Sequence, residues 1–209
     1  LEECRLSDQT IFVFTSDHGD MVGSQGQRRK QRPWDESIRV PFLMRYPALL
    51  GRRALTIAVP LSTPDIMPTL LSLCRLPIPE TVEGTDFSGY LVGGTGSRTR
   101  RDAALIACYA PFGEWTREDG GKEYRGVRTR RYTYVRTLDG PWLLYDNDKD
   151  PYQLVNRAGH PDYDKVQGRL EDLLRAKLEE THDEFLPAEV YINRWGYTVD
   201  KTGTVPYEP

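Results

Sequence analysis

The sequence predicts an α/β portion over about residues 1–100, followed by a smaller α+β subdomain over about residues 101–185. An apolar, β-prone run at residues 11–14 stops abruptly at polar residues, as the buried strands of parallel or mixed sheets do. A helical pattern follows at residues 62–74. Beyond it, short β-like runs alternate with turns and end in one amphipathic helix, which is typical of a small antiparallel sheet covered by a helix.

The composition is that of an ordinary folded protein. Its 209 residues carry a formal net charge of -3, and 38% of them are hydrophobic. A sizeable core is therefore expected, and general binding to nucleic acid is not. Cys4, Cys74 and Cys108 have no C-x-x-C spacing, which argues against zinc ribbons and thioredoxin-like chemistry. No apolar run approaches membrane-spanning length, and no signal peptide is recognisable.

The chain begins with Leu1, almost directly before its first predicted strand. Domains rarely begin in this way, so we expect further residues upstream of this chain. The lack of a recognisable signal sequence therefore leaves the cellular location open.

The end of the first predicted strand carries the first candidate site, Asp17-His18-Gly19-Asp20. Open α/β sheets place their chemistry beyond the carboxyl ends of their strands. Asp17 offers an oxygen ligand and His18 a nitrogen ligand to a metal ion, whereas the alternative is a turn-forming aspartate beside a surface histidine. The two residues share one metal only if the strand ends there; otherwise each holds one of two metals. Gly19 is expected to adopt a positive φ that leaves space for a ligand.

A polar loop over residues 21–34 follows this strand and contains Lys30. A loop of this length is uncommon unless it is functional or mobile. An ammonium group at this position suits an anionic substrate oxygen or a leaving group. The alternative is a solvated basic loop without a site. A second strand is predicted at residues 38–47, with Pro41 at its edge or start.

The next predicted element is a helix that begins at Ser62-Thr63-Pro64-Asp65, where capping, first-turn and acidic preferences coincide. Pro68 is expected to interrupt its first turn, so that the regular helix begins there. Residues 80–100, which include Gly93-Gly94-Thr95-Gly96, are predicted to form a surface loop and the internal domain boundary.

The C-terminal part is predicted to contain four strands and one helix, followed by an extension over residues 186–209 that wraps the surface. Turn residues separate the four β-like runs, which lie at residues 103–109, 124–129, 132–137 and 142–145. Leucines at helical spacing over residues 166–178 form one stripe, which indicates a helix packed on the sheet.

Several of these segments together resemble the C-terminal half of a type I sulfatase, a member of the alkaline phosphatase superfamily. The resemblance covers most of the chain, in order. It rests on FTSDHGD at residues 14–20, Lys30 followed by PWDESIRVPF at 33–42, STPDIMPTL at 62–70, YRGVRT and YTY at 124–134, and WLLYD with DP at 142–151.

The resemblance implies a fold, an activity and roles for individual residues. The fold is the C-terminal portion of an alkaline-phosphatase-like sulfatase, and the activity is hydrolysis of a sulfate ester. Asp17 resembles the aspartate that binds the active-site divalent cation, usually calcium. His18 resembles the neighbouring residue that ligates this cation or touches the sulfate, and Lys30 resembles the lysine that binds the sulfate and its ester oxygen. A cation and a lysine around a tetrahedral anion stabilise charge on the sulfuryl and leaving oxygens.

Two departures from the family pattern stand out. Gln25 occupies a position where many relatives have histidine, and its amide can bind a substrate but cannot donate a proton as a general acid. The nucleophile motif, Cys/Ser-x-Pro-x-Arg, is absent, because Cys74 is followed by Arg75-Leu76-Pro77. The resemblance therefore implies that the formylglycine nucleophile lies upstream and that this chain alone is inactive.

The partners implied are a sulfated small molecule or glycan and the missing N-terminal half of the sulfatase. A periplasmic or extracellular location is compatible with the family. One alternative is a two-metal phosphodiesterase or phosphomutase of the same superfamily, in which the Asp-His-Gly strand end holds two transition metals. Another is a non-catalytic module whose hairpin arginines bind a sulfated glycan; these are Arg125, Arg128, Arg130, Arg131 and Arg136.

Overall fold

The computed structural model describes residues 1–92 and 102–207. Its strands are β1 (Phe12–Thr15), β2 (Phe42–Arg45), β3 (Ala103–Cys108), β4 (Tyr124–Thr129), β5 (Tyr132–Thr137) and β6 (Gly140–Asp146). Its helices are α1 (Asp35–Ile38), α2 (Pro47–Leu50), α3 (Thr63–Leu73), α4 (Ser88–Leu91), α5 (Asp164–Glu180) and α6 (Ala188–Arg194). Short 3-10 turns lie at Ser24–Gly26 and Pro161–Tyr163. None of the helices in these ranges has the length and apolarity that crossing a membrane would require.

By its internal contacts the chain forms two compact units. The first consists of Leu1–Asp17 and Val40–Ala104, and the second of His18–Arg39 and Leu105–Pro209. The loop that carries Lys30 therefore belongs to the same unit as the C-terminal sheet. The domain bounds expected from the sequence, at residues 100 and 185, stay predictions for the intact protein.

The first unit contains the two-stranded antiparallel sheet of β1 and β2, in which Phe14 pairs with Leu43. The prediction that β1 is a buried strand was wrong for the described residues, since Phe12 is 54% and Phe14 55% exposed. Cross-strand partners share a face of the sheet, so the rings of Phe12 and Phe14 lie on the same face as Leu43. No other part of the described chain covers this face, which is why the strand is exposed. Pro41 precedes β2 as expected, but residues 38–41 do not extend this strand.

Helix α3 begins as the sequence predicts. Ser62 and Asp65 form a reciprocal capping box, and the Ser62 amide donates to the Asp65 carboxylate at 2.7 Å. The expected interruption at Pro68 was wrong, because α3 runs from Thr63 through Pro68 to Leu73. Pro68 leaves the Pro64 carbonyl without its helical partner, and Gly84 packs against that carbonyl so closely that a Cβ would lie 1.9 Å from its oxygen.

The second unit is built on the predicted four-stranded sheet, with order β3-β4-β5-β6 and antiparallel pairing of the last three strands. Helix α5 covers one face, where it buries Leu170 and Leu174 and where Tyr134 reaches Glu171. Val135, the neighbour of Tyr134, points to the opposite face and joins an aromatic core. That core contains Cys108, Trp115, Tyr124, Val135, Leu143 and Tyr145, with Trp34, Ile106 and Trp142 packed against it.

Two predicted segments have different outcomes. Residues 80–92 contain the short helix α4, whereas the glycine-rich run at residues 93–96 and the rest of the predicted boundary lie outside the described residues. The C-terminal extension contains α6, which the sequence reading did not anticipate. Tyr191 of α6 is buried and stacks on Trp195. This packing explains why a segment that was predicted only to wrap the surface contains a short helix.

Candidate active site

The predicted metal-binding pair lies where β1 gives way to a loop. Strand β1 ends at Thr15, and the exposed Asp17 follows two residues later. Ser16 donates to the Asp17 carboxylate at 3.3 Å. His18, the next residue along the chain, is half-buried and begins the second unit.

His18 and Lys30 are brought together by the loop that joins them. The Lys30 ammonium Nζ lies 3.2 Å from Nε2 of the His18 ring, and Nδ1 of the same ring lies 2.7 Å from the Gly19 carbonyl. A carbonyl oxygen only accepts, so Nδ1 donates to it, and in the neutral ring Nε2 accepts from the ammonium. The two residues that the sequence singled out as catalytic therefore form one hydrogen-bonded pair.

Gly19 is required here by close packing. Its φ is not positive, so the expected left-handed turn was wrong. The Gly19 amide donates to the Ser37 carbonyl at 2.8 Å, and a Cβ on Gly19 would lie 1.9 Å from the Glu36 carbonyl oxygen. The backbone of α1 thus approaches Gly19 closely, and this approach fixes the entry to the loop.

The Lys30 loop is held in a strained backbone conformation. Asp20 accepts hydrogen bonds from the amides of Val22 and Arg29, at 2.9 and 3.2 Å. The residues on either side of Lys30, Arg29 and Gln31, both have a left-handed backbone, with φ of 67° and 73°. Such residues cost of order 1–3 kcal/mol each and persist only where the surroundings determine them, which is common at functional sites.

The end of the loop is anchored within the second unit by Asp35. Arg128 forms two hydrogen bonds to the Asp35 carboxylate, each of 2.8 Å. The Asp35 amide donates to the side chain of Gln153, which is buried and also bonds to Thr133 at 3.0 Å. Trp34 donates to the Tyr145 hydroxyl at 3.1 Å, and burial raises the pKa of that hydroxyl.

Gln25 lies at the tip of the loop, and its amide nitrogen donates to the Tyr152 carbonyl at 2.8 Å. One of its two amide hydrogens therefore ties the Lys30 loop to the loop that carries Gln153. The sequence reading did not anticipate this contact, nor those of Arg128 and Gln153, because long-range hydrogen bonds leave no signal in local spacing.

The hairpin arginines do not form a free cationic face. Four of the five pair with carboxylates of this chain: Arg125 with Asp183, Arg128 with Asp35, Arg131 with Asp146, and Arg136 with Glu171. The glycan-binding module considered from the sequence has no support in this arrangement.

By residue type Asp17 and His18 suit a divalent cation, but in this structure both ring nitrogens of His18 are engaged, by the Gly19 carbonyl and by Lys30, and the set is incomplete. Among the described residues no group of three or more His, Cys, Asp or Glu side chains is placed to hold a metal ion. A carboxylate and an imidazole are too few to complete the coordination of such an ion.

Known proteins are similar to this chain over most of its length. A protein of Formosa agariphila described as an ulvan-active sulfatase is 40% identical over 208 residues, which are 97% of this chain and 39% of the relative. A protein solved in complex with its substrate D-glucosamine-2-N,6-O-disulfate superposes with a TM-score of 0.73 at 27% identity, over 88% of this chain and 37% of that one. The phosphonate monoester hydrolase of Agrobacterium radiobacter superposes with a TM-score of 0.68 at 28% identity, over 100% of this chain and 41% of its own.

These matches confirm the predicted fold class, the C-terminal portion of an alkaline-phosphatase-like sulfatase. The chain spans about two fifths of the length of the relatives that it matches. Residues 23–180, which include Lys30, its anchors and the whole four-stranded sheet, match the family described as N-sulphoglucosamine sulphohydrolase, C-terminal. The chain therefore belongs to this family of sulfatase C-terminal regions.

Proposed function

We propose that the protein containing this chain hydrolyses sulfate esters of carbohydrates and that this chain supplies part of its active site. The observation that carries the proposal is the 3.2 Å contact between the Lys30 ammonium and the His18 ring, in a loop of strained backbone. A cation held in this way matches the need of a reaction in which negative charge develops on sulfuryl and leaving oxygens.

The residues take distinct roles in this proposal. Lys30 binds a sulfate oxygen and the ester oxygen, and its ammonium stabilises the leaving oxygen as charge develops there. His18 orients that ammonium through Nε2. Gln25 keeps one amide hydrogen on Tyr152 and offers the other to the substrate, because a primary amide carries two donors.

The family implies a divalent cation, and we propose that it is calcium. Asp17 would hold it through a carboxylate oxygen. The lone pair of His18 Nε2 accepts from Lys30, so His18 would act beside the ion by orienting that ammonium. When bound, such a cation withdraws charge from the sulfate oxygens. The remaining ligands and the formylglycine nucleophile would come from the N-terminal half of the sulfatase, which we propose as the partner of this chain. The uncovered face of Phe12, Phe14 and Leu43 is consistent with that partner.

The second candidate is a two-metal phosphodiesterase of the same superfamily. The similarity to a protein described as a phosphonate monoester hydrolase, which matches the entire chain, favours hydrolysis of a phosphorus ester. The two candidates differ in the bond hydrolysed, a sulfate ester or a phosphodiester, and in metal content, since a two-metal site holds two transition metals about 4 Å apart.

The test uses the full-length protein and three probes: ulvan oligosaccharides, D-glucosamine-2-N,6-O-disulfate and a phenylphosphonate monoester. Release of sulfate from a saccharide, with calcium found by elemental analysis, is expected. Lys30→Ala should lower kcat/KM about 10²–10³-fold, the usual cost of removing one donor to developing charge. Lys165→Ala, a change of an exposed lysine on α5, is the matched control. Cleavage of the phosphonate alone, with two zinc or manganese ions bound, would favour the second candidate.

A further inference from the structure

Arg32 is a buried cation that has no carboxylate at ion-pair distance in the part of the chain that the structure describes. The residue is 6% exposed, and its guanidinium carbon lies 5.1 Å from the ring centroid of the buried Trp115. Burial lowers the pKa of Arg32, although Asp119, Glu114 and Asp20 act in the opposite direction from a distance. A buried charge without a partner is costly, so its presence calls for a reason.

The hydrogen bonds of Arg32 lead to the Lys30 loop. Nη1 donates to the carbonyl oxygen of Lys30 at 2.6 Å, and Nε lies 3.4 Å from the side-chain oxygen of Gln27. A charged donor makes a stronger bond to a carbonyl than a neutral one does. Arg32 therefore holds the Lys30 backbone through this hydrogen bond. The contact with the Trp115 ring fixes the position of the Arg32 guanidinium.

The backbone around Lys30 needs such an anchor. Both neighbours, Arg29 and Gln31, are left-handed, and an ordinary loop would relax from this conformation. The Tyr124 hydroxyl, on a side chain that is also buried, donates to the Gln31 carbonyl at 3.2 Å. Arg32 and Tyr124 thus hold two consecutive carbonyls of the loop from the buried side.

We propose that Arg32 is the positioning residue for Lys30: it fixes the Lys30 backbone so that the ammonium stays where the sulfate oxygens accumulate charge. The proposal rests on the function assigned to Lys30 above. Arg32 acts through Lys30 and makes no contact with the substrate itself. A small displacement of a reacting group can cost ~10²-fold in rate, so the loss of this anchor is expected to affect turnover strongly.

A double-mutant cycle in the full-length sulfatase tests the proposal. The four proteins are the unchanged enzyme, Lys30→Ala, Arg32→Gln and the double variant, assayed for sulfate release from whichever saccharide probe the enzyme cleaves. Arg32→Gln is expected to lower kcat/KM about 10²-fold when Lys30 is present. In the Lys30→Ala background, Arg32→Gln is expected to lower kcat/KM no more than about twofold. A difference of this size is within the usual deviation from additivity. Arg28→Gln removes an exposed arginine of the same loop and is the matched control.

The outcomes separate the two proposals. If Lys30→Ala keeps its activity, the function assigned to Lys30 fails. If Lys30→Ala loses activity but Arg32→Gln costs the same factor in both backgrounds, Arg32 supports the fold in general and the positioning role is overturned. An unaffected Arg32→Gln overturns it as well. Should Arg32→Gln not fold, Arg32→Lys replaces it in the cycle, since it keeps the charge and a hydrogen-bonding ammonium but loses the fixed geometry of the guanidinium.

Discussion

Arg125 and Asp183 form an ion pair from which water is almost completely excluded, with side chains that are 0% and 2% exposed. The guanidinium also lies 3.7 Å from the Tyr109 ring centroid and donates to the Cys108 carbonyl at 3.0 Å. Asp183 in turn accepts from the Tyr191 hydroxyl at 3.0 Å. The pair therefore joins strand β4 to the segment that carries α6.

Removal of one member of this pair should destabilise the protein strongly. Arg125→Met leaves Asp183 buried without its counter-charge, so we expect a loss of ~3–5 kcal/mol in the free energy of unfolding. Urea denaturation gives this value from the shift of the midpoint at constant slope. Arg175→Met breaks the exposed pair of Arg175 with Asp172 and should cost only about 0–1 kcal/mol. Equal effects of the two changes would contradict the prediction.

Stability should fall in acid through Asp183. Burial alone would raise the pKa of this carboxyl, but hydrogen bonds from Arg125 and the Phe185 amide outweigh it and hold the pKa below its usual value. A depressed folded-state pKa gives stability that is present above the unfolded value of about 3.9 and is lost as pH falls through the folded value. Unfolding free energies measured from pH 7 to pH 3 should be level above about pH 5 and decline below about pH 4.

The matched variant for this profile is Asp183→Asn, which cannot titrate. Its decline in acid should be shallower than that of the unchanged protein. The decline should not vanish, because Arg131 also lowers the pKa of Asp146 through a hydrogen bond. Identical slopes in the two proteins would show that Asp183 does not contribute.

Gly19→Ala should disturb the Lys30 loop through steric overlap. A Cβ at this position would meet the Glu36 carbonyl at 1.9 Å, so the backbone of α1 has to move. We expect a loss of ~1–3 kcal/mol in stability, as for overpacked sites, and, under the function proposed above, reduced sulfate release by the full-length protein. Gly168→Ala is the control, since nothing lies within 4 Å of its Cβ; on helix α5 it should stabilise the protein by about 0.5–1 kcal/mol.

Cys108 should resist alkylation in the native protein. Burial raises the pKa of its thiol to about 11, so little of the reactive thiolate is present at pH 8. Peptide mapping after treatment with iodoacetamide at pH 8 should find Cys108 unmodified until denaturant is added. Cys4 and Cys74, which are exposed in this structure, provide the comparison. Rapid labelling of Cys108 without unfolding would show that the aromatic core opens readily.

The ring of His18 should be protonated at Nδ1 when neutral, because Nδ1 donates to the Gly19 carbonyl. Nitrogen-15 NMR distinguishes this tautomer from the commoner one with a proton on Nε2. Lys30→Met removes the donor to Nε2 and should shift the resonance of that nitrogen while Nδ1 keeps its proton. A ring protonated at Nε2 in the unchanged protein would contradict the hydrogen-bond assignment.

Local patterns made much of the fold predictable from the sequence. The capping box at Ser62 and Asp65, the leucine spacing of α5 and the turns between β4, β5 and β6 each depend on neighbours in the chain. The exposure of Phe12 and Phe14 was not predictable, because burial of a strand depends on what lies across it. The length of the helix through Pro68 was missed for a similar reason, since Gly84 and its packing are distant in sequence.

The candidate site shows the same division. Lys30 and His18 stand in recognisable motifs, but the hydrogen bond between them was not predicted. Arg32 looked like part of a solvated basic loop, and only its burial against Trp115 distinguishes it from the exposed Arg28. The hairpin arginines were considered as a glycan-binding surface, but four of them pair with carboxylates of this chain. A run of charges in the sequence does not reveal such long-range partners.

The anchor between Asp35 and Gln153 has a consequence for biosynthesis. These residues are 118 positions apart, and a ribosome adds ~5–20 residues per second, so the Lys30 loop emerges on the order of ten seconds before its anchor. During that interval the loop has only its local contacts, such as the hydrogen bond from the Arg29 amide to Asp20, and lacks the anchor at Asp35. Within this chain the Lys30 loop is therefore made before its anchor but completed after it, and slow elongation beyond residue 39 would prolong its exposure to proteases and chaperones.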